Sequence, residues 1–247
     1  MPELERYMLA LLGQLDATLR QAAADFDFNT YTRALIDFCN EDLSAFYFDI
    51  RKDRLYCDAP ADPARRAYRT VLDTLFHALV RYAAPVLVFT AEEVWGTRYP
   101  GEGSVHLREW PELAHSRDHA PDGAESSPDP GFRRDDEFMD KWNRLRALRQ
   151  QVTEAIEPLR RDKQVRSSLE AEVIVPEKTV SAGVGDTLLA ELFISAGVTR
   201  AAGDEVSVKP SDDAKCGRCW RLLPEVPADG ALCHRCESVV AGLDVVA

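Results

Sequence analysis

Apolar residues at Leu4, Tyr7, Met8, Leu11, Leu12, Leu15 and Leu19 recur at the three-and-four spacing that lines one face of an α-helix. A second helix is predicted from a cap at Asn29 or Thr30, carrying Tyr31, Leu35, Phe38, Leu43, Phe46, Tyr47 and Ile50. It closes on Arg51-Lys52-Asp53-Arg54, whose cations suit the negative end of a helix dipole. Beyond Pro60 and Pro63 a third helix is expected, with Leu72, Leu75, Phe76, Leu79 and Val80, ending near Pro85, which has no amide hydrogen for a helical ladder. Thr90 and Glu93 read as the capping box of a short fourth helix through Trp95. Four helices joined by short connections predict a bundle over residues 1–113.

The pattern lapses over 114–131, which holds three prolines, two glycines, three serines and four acids, the composition of a flexible linker and an expected domain boundary. Over 132–210 it resumes as a long helix with Phe138, Trp142, Leu145, Val152, Ile156 and Leu159 near heptad spacing, interrupted by Arg149. An alternating stretch at Leu169, Ala171, Val173 and Val175 predicts a strand, Leu188–Ile194 a helix closed by Gly197, and Val206 and Val208 a second strand. The expected class is mainly α: a helical bundle, a small α+β unit, and a terminal module over 211–247.

Composition narrows the function. A chain of 247 residues with net charge −12 has room for two domains and is poorly suited to coating DNA or RNA indiscriminately, since that requires many phosphate-neutralising cations. Only residues 132–170 sum to a positive charge, and their arginines alternate with acids as on a solvated helix face. The longest apolar run, Tyr82–Phe89, is far shorter than a membrane span, and the amino terminus lacks the basic start of a signal peptide. A cytoplasmic location is expected, with neither DNA nor membrane as a partner.

The most specific signal is a pair of knuckles, Cys216-Gly217-Arg218-Cys219 and Cys233-His234-Arg235-Cys236, separated by thirteen residues. Each two-residue gap lets both thiolates of a knuckle reach one ion, and four soft ligands complete a zinc tetrahedron. Two disulfides or a redox pair are the alternatives, but a reducing compartment disfavours the first and a redox motif needs one such pair beside a βαβ unit. The expectation is one structural zinc held by Cys216, Cys219, Cys233 and Cys236, replacing a core that so short a module cannot build. His234 is a possible substitute ligand, while Cys39 and Cys57 read as small core residues. No phosphate-cradling glycine loop and no catalytic triad or zincin motif occurs, so the residues read as a binding module.

Several stretches together resemble the carboxyl-terminal part of bacterial isoleucyl-tRNA synthetases, which are class I aminoacyl-tRNA ligases. They are Phe26-Asp27-Phe28, the run Phe46–Tyr56, the run Ala84–Trp95, Ser104-Val105-His106-Leu107, Val165–Ala171, and Cys216-Gly217-Arg218-Cys219-Trp220. The resemblance implies that 1–113 is the helical anticodon-binding domain and that the partner is the anticodon stem-loop of isoleucine tRNA. It further implies a parent that joins isoleucine to tRNA with ATP and magnesium, on a nucleotide-binding domain whose HIGH and KMSKS motifs are missing here, as is the editing domain. The chain is therefore expected to be inactive by itself.

An anticodon is a single-stranded loop whose bases can be splayed and stacked on aromatic rings. In the resembled family the Arg and Trp of the knuckle motif approach anticodon bases, which nominates Arg218 and Trp220; Arg51, Lys52 and Arg54 are nominated for phosphates. Other readings stay open: Trp220 packing over the metal module with Arg218 offsetting thiolate charge, and the 51–54 cluster serving the helix end. So does a different class of function, a zinc-ribbon scaffold for proteins without RNA affinity. Finally, truncation is expected to bare apolar surface near Leu4, Met8 and Leu11 and to promote self-association there.

Overall fold

The computed structural model describes residues 1–113, 130–181 and 183–244, with the side chains of 130–135 and 243–244 left aside. Of the expected linker 114–131, residues 114–129 lie outside the described residues, and Pro130 already begins a helix. The described chain divides into two compact units, one of residues 1–51 and 60–113, the other of 52–59 and the residues from 130 onward. Each is mainly helical or mixed, and no described helix is long and apolar enough to cross a membrane.

The first unit starts with α1 (Glu3–Ala24), whose predicted stripe is buried from Leu4 to Leu19 but for the half-buried Leu11. Helix α2 (Phe28–Asp37) begins a residue or two before the expected caps, because Asp27 accepts the Thr30 amide at 3.0 Å and terminates the turn upstream. The ladder then widens into a π-helical stretch, Phe38–Phe48, before α3 (Asp49–Cys57). Buried Phe38 and Leu43 are five residues apart, and the wider i→i+5 turn accommodates a gap that an α-turn would rotate off the core. Helix α4 (Pro63–Ala83) is capped by Asp62 with Pro63 in its first turn, and α5 (Val88–Arg98) follows.

Two local expectations change. Leu75 and Val80 are buried in α4 as expected, but the other buried positions are Tyr68, Val71, Ala78 and Tyr82, with Leu72, Phe76 and Leu79 only partly covered, because small Ala78 and ring-bearing Tyr82 fit where helices approach closely. Helix α5 starts at Val88, so Thr90 and Glu93 form no capping box; neighbouring Glu92 instead accepts the Ser104 hydroxyl at 2.8 Å and the Val105 amide at 3.0 Å.

Helix α1 packs against α2, α4 and the π-helical stretch. Leu4 and Met8 are 1% and 0% exposed and Leu11 is half-buried, so the bared face expected at the amino-terminal end is covered, and the basis for self-association through it is gone. Edge-to-face contacts of Tyr7 with Phe46 (6.2 Å) and Tyr47 with Tyr68 (5.2 Å) fill this core. Its buried charges are satisfied: Asp16 accepts from Tyr82 Oη (2.6 Å), Trp110 Nε1 (2.5 Å) and Arg20 Nε (2.8 Å), and Glu5 takes a two-pronged bond from Arg51.

The second unit is organised by α6 (Pro130–Arg161) and a three-stranded sheet in the order β2-β1-β3. Strand β1 (Ala171–Pro176) is central, parallel to β2 (Gly197–Ala201) and antiparallel to β3 (Ser207–Pro210), with Val173 opposite both Val198 and Val208. Strand β2 falls where the sequence suggested only a helix end, since α7 (Asp186–Phe193) stops at Ile194 in a left-handed conformation (φ 55°), which frees Gly197 to start a strand. Helix α6 packs against β3 and α7, burying Trp142, Leu145, Leu148, Val152 and Ile156. Arg149, which breaks the seam, donates to the Leu192 carbonyl in the last turn of α7, one of the acceptors a helix leaves unpaired. A terminal helix, α8 (His234–Asp244), grows out of the second cysteine knuckle.

Candidate metal centre and its surroundings

The ligand atoms of Cys216, Cys219, Cys233 and Cys236 all lie within 4.8 Å of one another, and the four residues are buried. Cys219 Sγ and Cys233 Sγ are 3.9 Å apart. A tetrahedron with zinc–sulfur bonds of about 2.3 Å sets its sulfurs about 3.8 Å apart, whereas a disulfide needs about 2.05 Å, so the spacing fits a shared ion. His234 is exposed and stands outside this cluster.

Local backbone chemistry builds the site. The knuckles close in the same way: the Trp220 amide donates to the Cys216 carbonyl (3.0 Å) and the Glu237 amide to the Cys233 carbonyl (2.9 Å). The Cys233 amide also donates to Cys216 Sγ at 3.3 Å. Burial pushes the Cys216 thiol up, but the amides of Cys219, Arg218 and Cys233 outweigh it and bring it down to about 6, the thiolate form a metal requires. Burial holds Cys219, Cys233 and Cys236 above the ordinary thiol value.

Gly217 permits a close backbone approach here. It runs beside Gly230, tied by bonds from Gly217 N to Ala231 O (3.0 Å) and Gly230 N to Lys215 O (2.9 Å), and a Cβ on Gly217 would stand 2.4 Å from the Gly230 carbonyl oxygen.

Around the cysteines lies a charged layer. Arg218 donates to the carbonyls of Cys57 (2.6 Å) and Tyr56 (3.3 Å) and approaches Cys236 Sγ at 3.6 Å. Arg235 grips Asp53 with two bonds (2.6 and 2.9 Å) and reaches Asp58 at 3.0 Å. Arg54 bonds Glu191 at 2.7 and 3.1 Å and shares Asp58 at 3.2 Å. Burial raises the Asp53 carboxyl, yet the Arg235 guanidinium prevails and holds it below the usual carboxylate range. Cys57 packs against the four cysteines, and burial with the nearby Asp53 charge pushes its thiol up to about 12.

The nominated nucleic-acid residues separate. Trp220 is 63% exposed, so it does not pack over the module, and its backbone is left-handed (φ 64°), a conformation that costs a bulky residue energy and that recurs at functional positions. Lys52 is exposed and Arg218 half-buried. Arg51 is 4% exposed and bonded to Glu5 at 2.6 and 2.8 Å, so its guanidinium presents no open face to a phosphate. Sequence reasoning missed Arg235, Asp53, Asp58 and Glu191. The repeated Cys-x-Arg-Cys pattern was the one unread signal for Arg235, and nothing local linked it to acids more than 170 residues away.

Four thiolates around one ion would leave it no coordination position for water or substrate. The family described as the anticodon-binding domain of tRNA ligase matches residues 5–175. The isoleucine–tRNA ligase of Zymomonas mobilis subsp. mobilis is 52% identical over 248 residues, covering 97% of this chain and 25% of that protein. Those of Gluconobacter oxydans and Agrobacterium fabrum are 42% and 40% identical, covering 98% and 93% of this chain and 24% of each relative. The chain thus spans about a quarter of the length of the curated relatives it matches.

Proposed function

This chain belongs to the anticodon-binding domain family of tRNA ligases, on the isoleucine–tRNA ligase branch, and we propose that it holds the anticodon loop of isoleucine tRNA for an ATP-dependent, class I ligase acting in the cytoplasm. One zinc ion at Cys216, Cys219, Cys233 and Cys236 is structural in this reading. Trp220 offers its ring to an unstacked base, and Lys52 a charge to phosphate. Arg54 and Arg218 support that surface through the pairs they already make, while Arg51 is held by Glu5 within the first unit.

The observation that carries the reading is Trp220: a large ring left in solvent, on a left-handed turn clamped between the first knuckle and the Arg221 carbonyl that accepts the Cys216 amide at 2.9 Å. Nothing in packing repays that exposure, whereas a stacked base would. The test is equilibrium binding of unmodified isoleucine tRNA and of the same tRNA with a changed anticodon. Trp220→Ala is expected to lose about 1–3 kcal/mol for the first, roughly a 5- to 150-fold weakening, with zinc content unchanged. Wild-type protein that binds neither tRNA overturns the reading in favour of a protein-binding scaffold, and a variant that keeps full affinity and discrimination overturns the role given to Trp220.

A further inference from the structure

The two knuckles place an arginine at the same position, third of four, and both arginines reach one target, the carboxyl-terminal turn of α3. They reach it by different chemistry. Arg218 takes the carbonyls of Tyr56 and Cys57, which a helix end leaves unpaired, and Arg235 takes the carboxylates of Asp53 and Asp58.

That turn is poorly made by its own sequence. Two acids stand at the end of a helix whose dipole favours cations there, and the turn's one arginine, Arg54, is shared with Glu191. The missing cations come from the knuckles, and each arginine's backbone is fixed between two cysteines that a metal would hold. We infer that Arg218 and Arg235 are positioning residues that couple metal loading of the cysteines to the order of residues 52–59, so that the ion governs the surface carrying Lys52 as well as the ring of Trp220. The last clause rests on the function proposed above; the coupling itself does not. Because linkage is reciprocal, whatever factor the metal contributes to ordering the turn, the ordered turn returns to metal affinity.

The test uses the full chain with zinc as the probe. Amide hydrogen exchange is followed over 52–59 with zinc loaded, after chelation by EDTA, and after zinc is added back. Chelation should speed exchange in 52–59 by tenfold or more, zinc should restore it, and α1 should stay protected throughout. Asp53→Asn, which lies on the helix and is bonded to the second knuckle by Arg235, should speed exchange in 52–59 severalfold in the loaded protein and weaken zinc by a similar factor. Arg235→Lys keeps the charge and loses the two-pronged bond, so it should fall between wild type and Asp53→Asn. Exchange in 52–59 that ignores chelation, or that rises together with α1, overturns the coupling, as does Asp53→Asn with wild-type exchange and zinc affinity. If the coupling holds while the wild-type chain binds no isoleucine tRNA, the coupling stands and the proposed function falls.

Discussion

Gly217→Ala tests the metal centre without touching a ligand. The added methyl would meet the Gly230 carbonyl oxygen at 2.4 Å, its carbon at 3.1 Å and Cα at 3.3 Å, where an ordinary contact begins near 3.4 Å. The obstacle is backbone, so no side chain can swing away, and the two segments must part by about an ångström. They are held together by the Gly217–Ala231 and Gly230–Lys215 bonds, which that movement stretches. Overpacking of this kind costs about 1–3 kcal/mol, and weakening two hydrogen bonds adds about 0.5–1.5 kcal/mol each, for a sum of about 2–6 kcal/mol. Structural zinc in small modules contributes about 10–16 kcal/mol, so the module should still close around its ion, but about 30- to 20,000-fold more weakly. Competition against a chromophoric zinc chelator measures this directly. Gly13→Ala is the control: nothing lies within 4 Å of its added methyl, in the interior of α1, and zinc affinity should not move. A Gly217→Ala protein that binds zinc within threefold of wild type would show that the close approach is not what shapes the site.

Three further outcomes follow from particular environments. Glu5→Gln leaves the 4%-exposed Arg51 without its carboxylate and should cost about 3–5 kcal/mol, read as a lower urea midpoint by helical circular dichroism; a loss below about 1 kcal/mol refutes the importance of the pair. Cys57, with its thiol pushed up to about 12 by burial and the nearby Asp53 charge, stays protonated at pH 8, so iodoacetamide should spare it in the folded chain, and its labelling should keep rising with pH beyond the ordinary thiol range; modification at the denatured rate at pH 8 contradicts this. Trp220→Gly relieves the left-handed turn and should raise thermal stability or leave it level while lowering tRNA affinity like Trp220→Ala; a clear drop in melting temperature would mean that the ring supports the fold.

The amino-acid pattern alone determined what depends on neighbours within a few turns. The stripe from Leu4 to Leu19 has one way to avoid water at helical spacing, and α1 follows it; Trp142, Leu145, Val152 and Ile156 do the same for α6. Two Cys-x-Arg-Cys knuckles bring each pair of thiols together by chain geometry, so the four-cysteine cluster was legible in the spacing before any fold was known. Tertiary structure decided which residues of α4 face the core, because small Ala78 and the polar-tipped Tyr68 and Tyr82 are chosen by what approaches them and not by hydrophobicity. It likewise decided the π-helical stretch, whose register serves distant partners, and strand β2, which exists only because β1 offers it a parallel edge. The partners of Arg218 and Arg235 lie 161 to 182 residues away along the chain, and the exposure of Trp220 depends on what does not cover it. Local periodicity carries no information about either, since contacts between remote segments are selected by shape and charge once the elements have met.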